Sequence, residues 1–314
     1  MSKITVGVLA LQGAFYEHLQ LLQKAVVSLR EAEGCSTLEW EFIEVRNASQ
    51  LDRCDALILP GGESTTISLV AASSNLLEPL RDFVKYVTYF CRGRSFPGYL
   101  LMLSITLRRL HRKPTWGTCA GLILLAESAN RTKKGGQELI GGLDVRVNRN
   151  YFGRQTESFQ ALLDLPFLYS LEKTSKMQVS PFTGIFIRAP IVEKILPNKE
   201  GIQVEESQRE ETIVAPSRAT IDPAFNEAMD NHVEVLAKLP GRAARLSTSG
   251  IDINAEKGAG DIVAVQQGNV FGTSFHPELT DDPRIHMWWL HQVRGIVERR
   301  RIAKTIDTIK SFRC

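Results

Sequence analysis

An alternation restricts the fold of this chain more than any other feature. Short β-branched or apolar runs end at glycine, and helical periodicity follows each of them. Residues 4–11 form the first run and Gln12-Gly13 ends it. Phe15, Leu19, Leu22 and Val26 then recur at three- and four-residue spacings, the period of one helical face. Residues 42–45 and 56–59 read as further strands, the latter stopping at Pro60-Gly61-Gly62, with a helical stretch at 64–69. Trp116-Gly117-Thr118 leads into an apolar stretch, 120–129, that reads as a helix. Residues 184–187, 261–265 and 270–275 are strand-like, and a last helix is expected over 283–302. Its basic end, Arg299 to Arg301, reads as a solvated helix terminus. Strands alternating with helices predict an α/β chain with a mostly parallel central sheet covered on both faces.

Two stretches sit outside this alternation, about 86–110 and about 196–260. Both read as insertions within a single domain spanning 1–314, with a helix expected over 222–236. With 43% hydrophobic and 23% charged residues, the composition is that of a globular protein. A net charge of +3, from 38 basic and 35 acidic residues, gives no basis for a nucleic acid or an acidic membrane as partner. The five cysteines are widely spaced without a CxxC pair, which argues against a metal site or a disulfide framework and for a reducing compartment. Residues 4–11 lack the basic flank and cleavage site of a signal peptide, and no apolar run reaches the roughly 18 residues of a membrane span. A cytoplasmic location is expected.

Three segments carry chemistry. Gly117-Thr118-Cys119-Ala120-Gly121 lies between a strand and a helix and has the form G-x-C-x-G. Small residues flank a nucleophile at such a turn because the turn is sharp, and the helix N-terminus behind it favours thiolate. A lone cysteine is ordinarily a buried structural residue; the flanking glycines shift the reading towards a nucleophile. His276-Pro277-Glu278 follows a strand, and residues two apart in an extended segment face the same side. Glu278 can then orient His276, which can take the thiol proton and deliver it to a leaving group. Pro60-Gly61-Gly62-Glu63-Ser64 also follows a strand, and its glycines let backbone N–H groups approach a ligand or an oxyanion. It lacks the lysine of a phosphate loop.

Together these segments resemble the class I glutamine amidotransferases, and within them the glutaminase subunits of pyridoxal phosphate synthase. The resemblance extends to residues 7–13, 59–66, 116–121, 149–155, 186–190 and 272–278 in that order. It implies a flavodoxin-like three-layer α/β/α sandwich and a catalytic triad of Cys119, His276 and Glu278. It implies glutamine contacts from Gly61, Gly62, Glu63, Arg149, Ile187 and Arg188, with the Gly62 and Ala120 amides as oxyanion donors. An arginine suits a substrate carboxylate because its planar fork matches it. The resemblance further implies that glutamine is hydrolysed to glutamate and ammonia, that the ammonia passes to a synthase subunit, and that Gln12 and Gly13 contact that partner. Pyridoxal phosphate would be the product of the complex and not a cofactor of this chain.

The 86–110 stretch departs from the family pattern just before the nucleophile strand, and reads as a lineage-specific loop or as translated intron sequence. Two other readings stay open. A different cysteine hydrolase on a similar fold is opposed by the 61–63 and 186–188 segments. A non-enzymatic subunit is opposed by the presence of Cys119, His276 and Glu278, and favoured by the first insertion.

Overall fold

The structure, a computed structural model, describes residues 3–33, 38–85, 113–130, 137–149, 151, 158–169, 180–197, 202–209, 211–216, 232–240 and 260–311. Strand β1 (Lys3–Leu9) leads to α1 (Phe15–Glu33), β2 (Glu39–Val45), α2 (Ala48–Asp52), β3 (Ala56–Leu59), α3 (Ser64–Ser73) and α4 (Leu77–Lys85). Then come β4 (Thr115–Thr118), α5 (Ala120–Leu125), β5 (Ala126–Asn130), β6 (Leu143–Asn148), β7 (Ser158–Leu163) and β8 (Phe182–Ile187). The remainder comprises β9 (Ile191–Ile195), α6 (Ile202–Ser207), β10 (Thr212–Val214), β11 (Glu234–Pro240), β12 (Gly260–Gln267), β13 (Val270–Thr273) and α7 (Arg284–Ser311). None of the described helices is long and apolar enough to cross a membrane.

The strands β2-β1-β3-β4-β13 lie side by side and all run parallel. Beyond β13 the sheet continues through β12, β9, β6, β5 and β10, with antiparallel pairings except between β6 and β5. β11 also pairs with β12, and β7 and β8 form a separate hairpin. The fold is α/β with a mixed sheet.

The layering follows from strand periodicity. Successive side chains on a strand face opposite sides, and in β3 they join two different cores. Ala56 and Ile58 pack with Leu22 and Ala25 of α1 and with Leu290 and Val293 of α7. Leu57 and Leu59 pack with Ile67 of α3, Leu80 of α4 and Leu122 of α5. Both faces of β3 are therefore covered, and a fully buried side chain of this kind contributes about 1.5–3 kcal/mol. A continuous apolar run is what a strand in this position requires.

Several elements differ from the sequence expectation. The helix expected over 120–129 stops at Leu125, and β5 begins at once. Residues 120–129 are buried throughout, so no polar face marks where one period gives way to the other. The helix ends where the amides of Ile140 and Gly141 both donate to the Leu124 carbonyl, at 2.8 and 3.0 Å. The strand expected over 270–275 ends at Thr273, after which the His276 amide donates to Ile185 of β8 at 2.8 Å. Of the helix expected over 222–236, residues 222–231 lie outside the described residues, while Glu234 to Leu236 belong to β11. The 86–110 stretch also lies outside them. Within the stretch read as a second insertion, β10 pairs with β5 and β11 with β12, so parts of it extend the main sheet.

Candidate active site

The carboxyl ends of β1, β3, β4 and β13 are neighbours, and each leads into one of the segments singled out by sequence. In an open α/β sheet that edge is where ligands gather. Cys119 sits between β4 and α5 with φ 46° and ψ −97°. The left-handed φ costs a non-glycine residue about 1–3 kcal/mol and is held only by its surroundings. Here the Cys119 amide donates to Thr273 of β13 at 2.8 Å and its carbonyl accepts from Ile123 at 3.2 Å. The turn has no room to widen: a Cβ on Gly117 would lie 2.4 Å from the Gly121 carbonyl carbon, and one on Gly121 would lie 2.1 Å from the Leu59 oxygen. The glycines of the G-x-C-x-G segment thus let α5 close over β3 and β4. The thiol is 5% exposed and its Sγ lies 3.8 Å from the Ile187 carbonyl oxygen.

His276 and Glu278 face the same side, as their spacing predicts, with Nδ1 and Oε1 2.7 Å apart. Both are buried. Burial lowers the affinity of His276 for a proton, yet the neighbouring Cys119 and Glu278 outweigh it and hold the imidazole well above its ordinary range. Burial alone would raise the Glu278 carboxyl; His18 and His276 outweigh it and keep the group below its ordinary range. The pairing therefore presents an ionised carboxylate behind a readily protonated imidazole, beside a thiol. That is the arrangement a cysteine nucleophile with a general acid–base requires.

The Gly61-Gly62-Glu63 loop lies directly against this pair. A Cβ on Gly61 would stand 2.2 Å from His276 Cε1 and 3.0 Å from Glu278 Oε1. The loop is fastened from behind by residues 12–14. The Ala14 amide donates to the Gly61 carbonyl at 2.9 Å, and the Glu63 amide donates to Gln12 Oε1 at 2.8 Å. Gly13, with φ 101°, leaves no space for a side chain, because a Cβ there would fall 2.0 Å from the Gly61 oxygen. Glu63 caps α3, its carboxylate accepting from the Thr66 amide at 2.6 Å and the Thr66 hydroxyl at 2.7 Å.

Arg149 is brought to the same end of the sheet. Its Nη2 donates to Ser64 Oγ at 3.0 Å and Thr65 Oγ1 at 3.1 Å, at the start of α3. Burial lowers its proton affinity, and Glu63 acts in the opposite direction. Ile187 ends β8 above Cys119, and Arg188 follows it with φ 47° and an exposed side chain. Asn150 and residues 152–155 of the fourth resembling segment lie outside the described residues. Two buried histidines, His18 and His286, stand behind Glu278 and were not singled out by sequence. The signal existed: each occupies a core position on an amphipathic helix, four residues before Leu22 and Leu290 respectively.

Comparison with known proteins is consistent with this geometry. The model of the SNO glutamine amidotransferase family matches residues 8–96, 99–236 and 218–295. The chain is 36% identical over 298 residues to an Arabidopsis thaliana protein named "Probable pyridoxal 5'-phosphate synthase subunit PDX2", covering 93% of this chain and 87% of that one. It is 32% identical over 289 residues to pyridoxal 5'-phosphate synthase subunit PdxT of Methanosarcina acetivorans, covering 92% and 98% of the two chains. Among solved structures, one titled as a glutamine amidotransferase superposes with a TM-score of 0.54 at 30% identity, covering 92% of this chain and 98% of the other.

Proposed function

The chain belongs to the SNO glutamine amidotransferase family, and on that footing we propose that it is a glutaminase subunit of pyridoxal 5'-phosphate synthase, with Cys119, His276 and Glu278 as its catalytic group. One observation carries the residue assignment. A cysteine in a strained left-handed turn and a buried histidine–carboxylate pair meet at one end of the parallel strands. We read the whole chain as one such domain, since the described strands other than the β7–β8 hairpin share one sheet.

In this reading Cys119 Sγ attacks the side-chain carbonyl carbon of glutamine after giving its proton to His276. The amides of Gly62 and Ala120 receive the oxyanion; Ala120 opens α5, where first-turn amides have no intrahelical partner. His276 passes the proton to the departing nitrogen, so that ammonia leaves and a thioester remains. Water, deprotonated by His276, then attacks the thioester; glutamate departs and the proton returns to the thiolate. Glu278 holds His276 in the tautomer that points Nε2 towards the reacting atoms and stabilises the imidazolium in both steps. Gly61, Gly62, Glu63, Arg149, Ile187 and Arg188 line the glutamine pocket, with the arginines suited to its α-carboxylate.

The ammonia passes to a synthase subunit, and the contact with that partner includes Gln12 and Gly13. Their position supports a coupling between partner and pocket. Gln12 holds the Glu63 amide and Gly13 packs on Gly61, so pressure on residues 12–13 is felt in the loop beside His276. The test is glutamate formation from glutamine by the full chain, alone and with its synthase partner, beside Cys119→Ala. Turnover that rises with the partner and vanishes in the variant is expected. Turnover that survives in Cys119→Ala, or its absence from the wild-type complex, refutes the reading.

A further inference from the structure

Glu278 uses one oxygen on His276. Its other oxygen, Oε2, is buried with no hydrogen bond among the described residues. It lies 3.5 Å from Nε2 of His18, a fully buried residue of α1. That nitrogen is also 3.2 Å from Thr118 Oγ1, immediately before the nucleophile. On the far side of the ring, His18 Nδ1 stands 3.0 Å from His286 Nε2 of α7. His286 Nδ1 has no partner among the described residues. Trp116 of β4 walls the pair, its ring centroid 5.4 Å from that of His18 and 4.8 Å from that of His286.

Counting protons fixes the tautomers. Burial holds both imidazoles below their ordinary range, with Glu278 acting in the opposite direction on His18. Each ring thus carries one proton at neutral pH. The two rings share one hydrogen bond, so one of them donates in it. If His18 Nδ1 donated, its bare Nε2 lone pair would face the Glu278 carboxylate, and His286 Nδ1–H would be a buried donor without an acceptor. If His286 Nε2 donates, His18 Nε2–H points between Thr118 Oγ1 and Glu278 Oε2, and only a lone pair on His286 Nδ1 is left over. A buried unmade donor and a lone pair facing an anion both cost more than that. The second arrangement wins.

We propose that His18, oriented by His286, is a positioning residue for the glutaminase reaction: its Nε2–H supports the second oxygen of Glu278, keeping that carboxylate ionised and aimed at His276. This rests on the reading of Cys119, His276 and Glu278 given above. The titratable groups acting directly on Glu278 are His276 on its own segment and His18 on α1; Cys119 after β4 acts on His276, Glu17 of α1 acts on His18, and His286 of α7 is coupled to His18. Glu63, in the neighbouring loop, is turned to Thr66. His18 is the group that presents a neutral donor to Oε2. Without it, burial of the carboxylate is less opposed, and Glu278 takes up a proton at higher pH.

The test compares two amides of the same chemistry in the full chain with its synthase partner. In His18→Gln the side-chain NH2 reaches the place of Nε2. In His18→Asn the amide reaches only the place of Nδ1, where its Oδ1 accepts from His286 Nε2–H and no donor extends to Glu278. Melting curves establish that each variant folds. The proposal expects His18→Asn to lose about tenfold in kcat with KM for glutamine nearly unchanged. The acid limb of its kcat/KM profile moves up by about one pH unit, and His18→Gln lies close to wild type. A second readout does not need turnover: the pH dependence of Cys119 alkylation by iodoacetamide, followed by peptide mapping, shifts in the same direction in His18→Asn alone. Equal kcat and equal profiles in wild type and His18→Asn overturn the proposal, as does equal damage in Asn and Gln variants. If wild type releases no glutamate, the glutaminase reading fails, and the alkylation profiles still decide the role of His18.

Discussion

Gly61→Ala is the smallest change that reaches the site without altering any group that does chemistry. The backbone of Gly61 is not in the left-handed region, so alanine carries no conformational penalty there and the effect is steric. Its Cβ would lie 2.2 Å from His276 Cε1, 2.5 Å from His276 Nδ1 and 3.0 Å from Glu278 Oε1. Carbon atoms in contact rest about 3.5–4.0 Å apart, so the imidazole or the loop must move by more than 1 Å. The loop is held by the Ala14 amide on the Gly61 carbonyl at 2.9 Å, with Gly13 packed against it. The imidazole is therefore expected to give way, at the expense of its 2.7 Å bond to Glu278. A misplacement of about 1 Å costs on the order of 100-fold in rate, or about 2.7 kcal/mol of transition-state stabilisation. The overpacking itself costs about 1–3 kcal/mol of stability, so the melting temperature falls by several degrees while the protein stays folded. The assay is glutamate release by the complex, with a melting curve alongside. A Gly61→Ala enzyme within about threefold of wild type in kcat, whatever its stability, refutes the steric argument.

Arg149→Met is expected to raise KM for glutamine by about tenfold or more, the loss of a charge-assisted hydrogen bond, with a smaller change in kcat. Arg149→Lys recovers part of this, and an unchanged KM in the Met variant excludes Arg149 from the pocket. The second expectation concerns acid. The pKa values of His18 and His286 are lower in the folded chain than in the unfolded one, so their stabilising contribution is full above about pH 6.5 and is lost as pH falls below it. Each contributes a slope of up to about 1.4 kcal/mol per pH unit. Glu278, also lowered, adds to the decline as pH falls through its folded value. His276, raised, contributes stability at low pH that is lost as pH rises through its folded value. Urea midpoints at pH 7.5 and 5.5 should separate clearly for wild type and less for His286→Phe; equal separations contradict the assignment. Finally, burial pushes the Cys54 thiol up to about 12, and peptide mapping after iodoacetamide at pH 8 should find it unmodified until the protein is denatured.

The legible parts of this molecule were those whose information is local. A strand covered on both faces must be apolar along its length, and 56–59 satisfies that without any knowledge of α1 or α5. The sharp turn at Cys119 needs small neighbours, and both glycines stand only two residues from it in sequence. His276 and Glu278 are two residues apart, so their alignment is a property of one short segment. By contrast, the end of α5 at Leu125 is set by the amides of Ile140 and Gly141, more than a dozen residues downstream, and an apolar run carries no mark of them. The strand–helix ambiguity at 234–236 has the same cause: β11 exists because β12 offers it a partner.

His18 and His286 show the limit most clearly, because they are separated by 268 positions and only the packing of α1 against α7 brings their nitrogens to 3.0 Å. The helical period places each on a buried face, where a polar residue is costly unless it is paired. That cost is itself information. A histidine in the apolar stripe of α1 implies a polar partner inside the fold, and the conserved arithmetic of donors and acceptors says where its proton must point. The buried carboxylate of Glu278 meets the same requirement from the other side. Its burial is tolerable only if donors face its oxygens, and His276 supplies one to Oε1. The group that faces Oε2 is His18. His18 and Glu278 therefore account for each other, and the packing of α1 against α7 that buries the two histidines also holds the carboxylate behind the candidate acid–base in place.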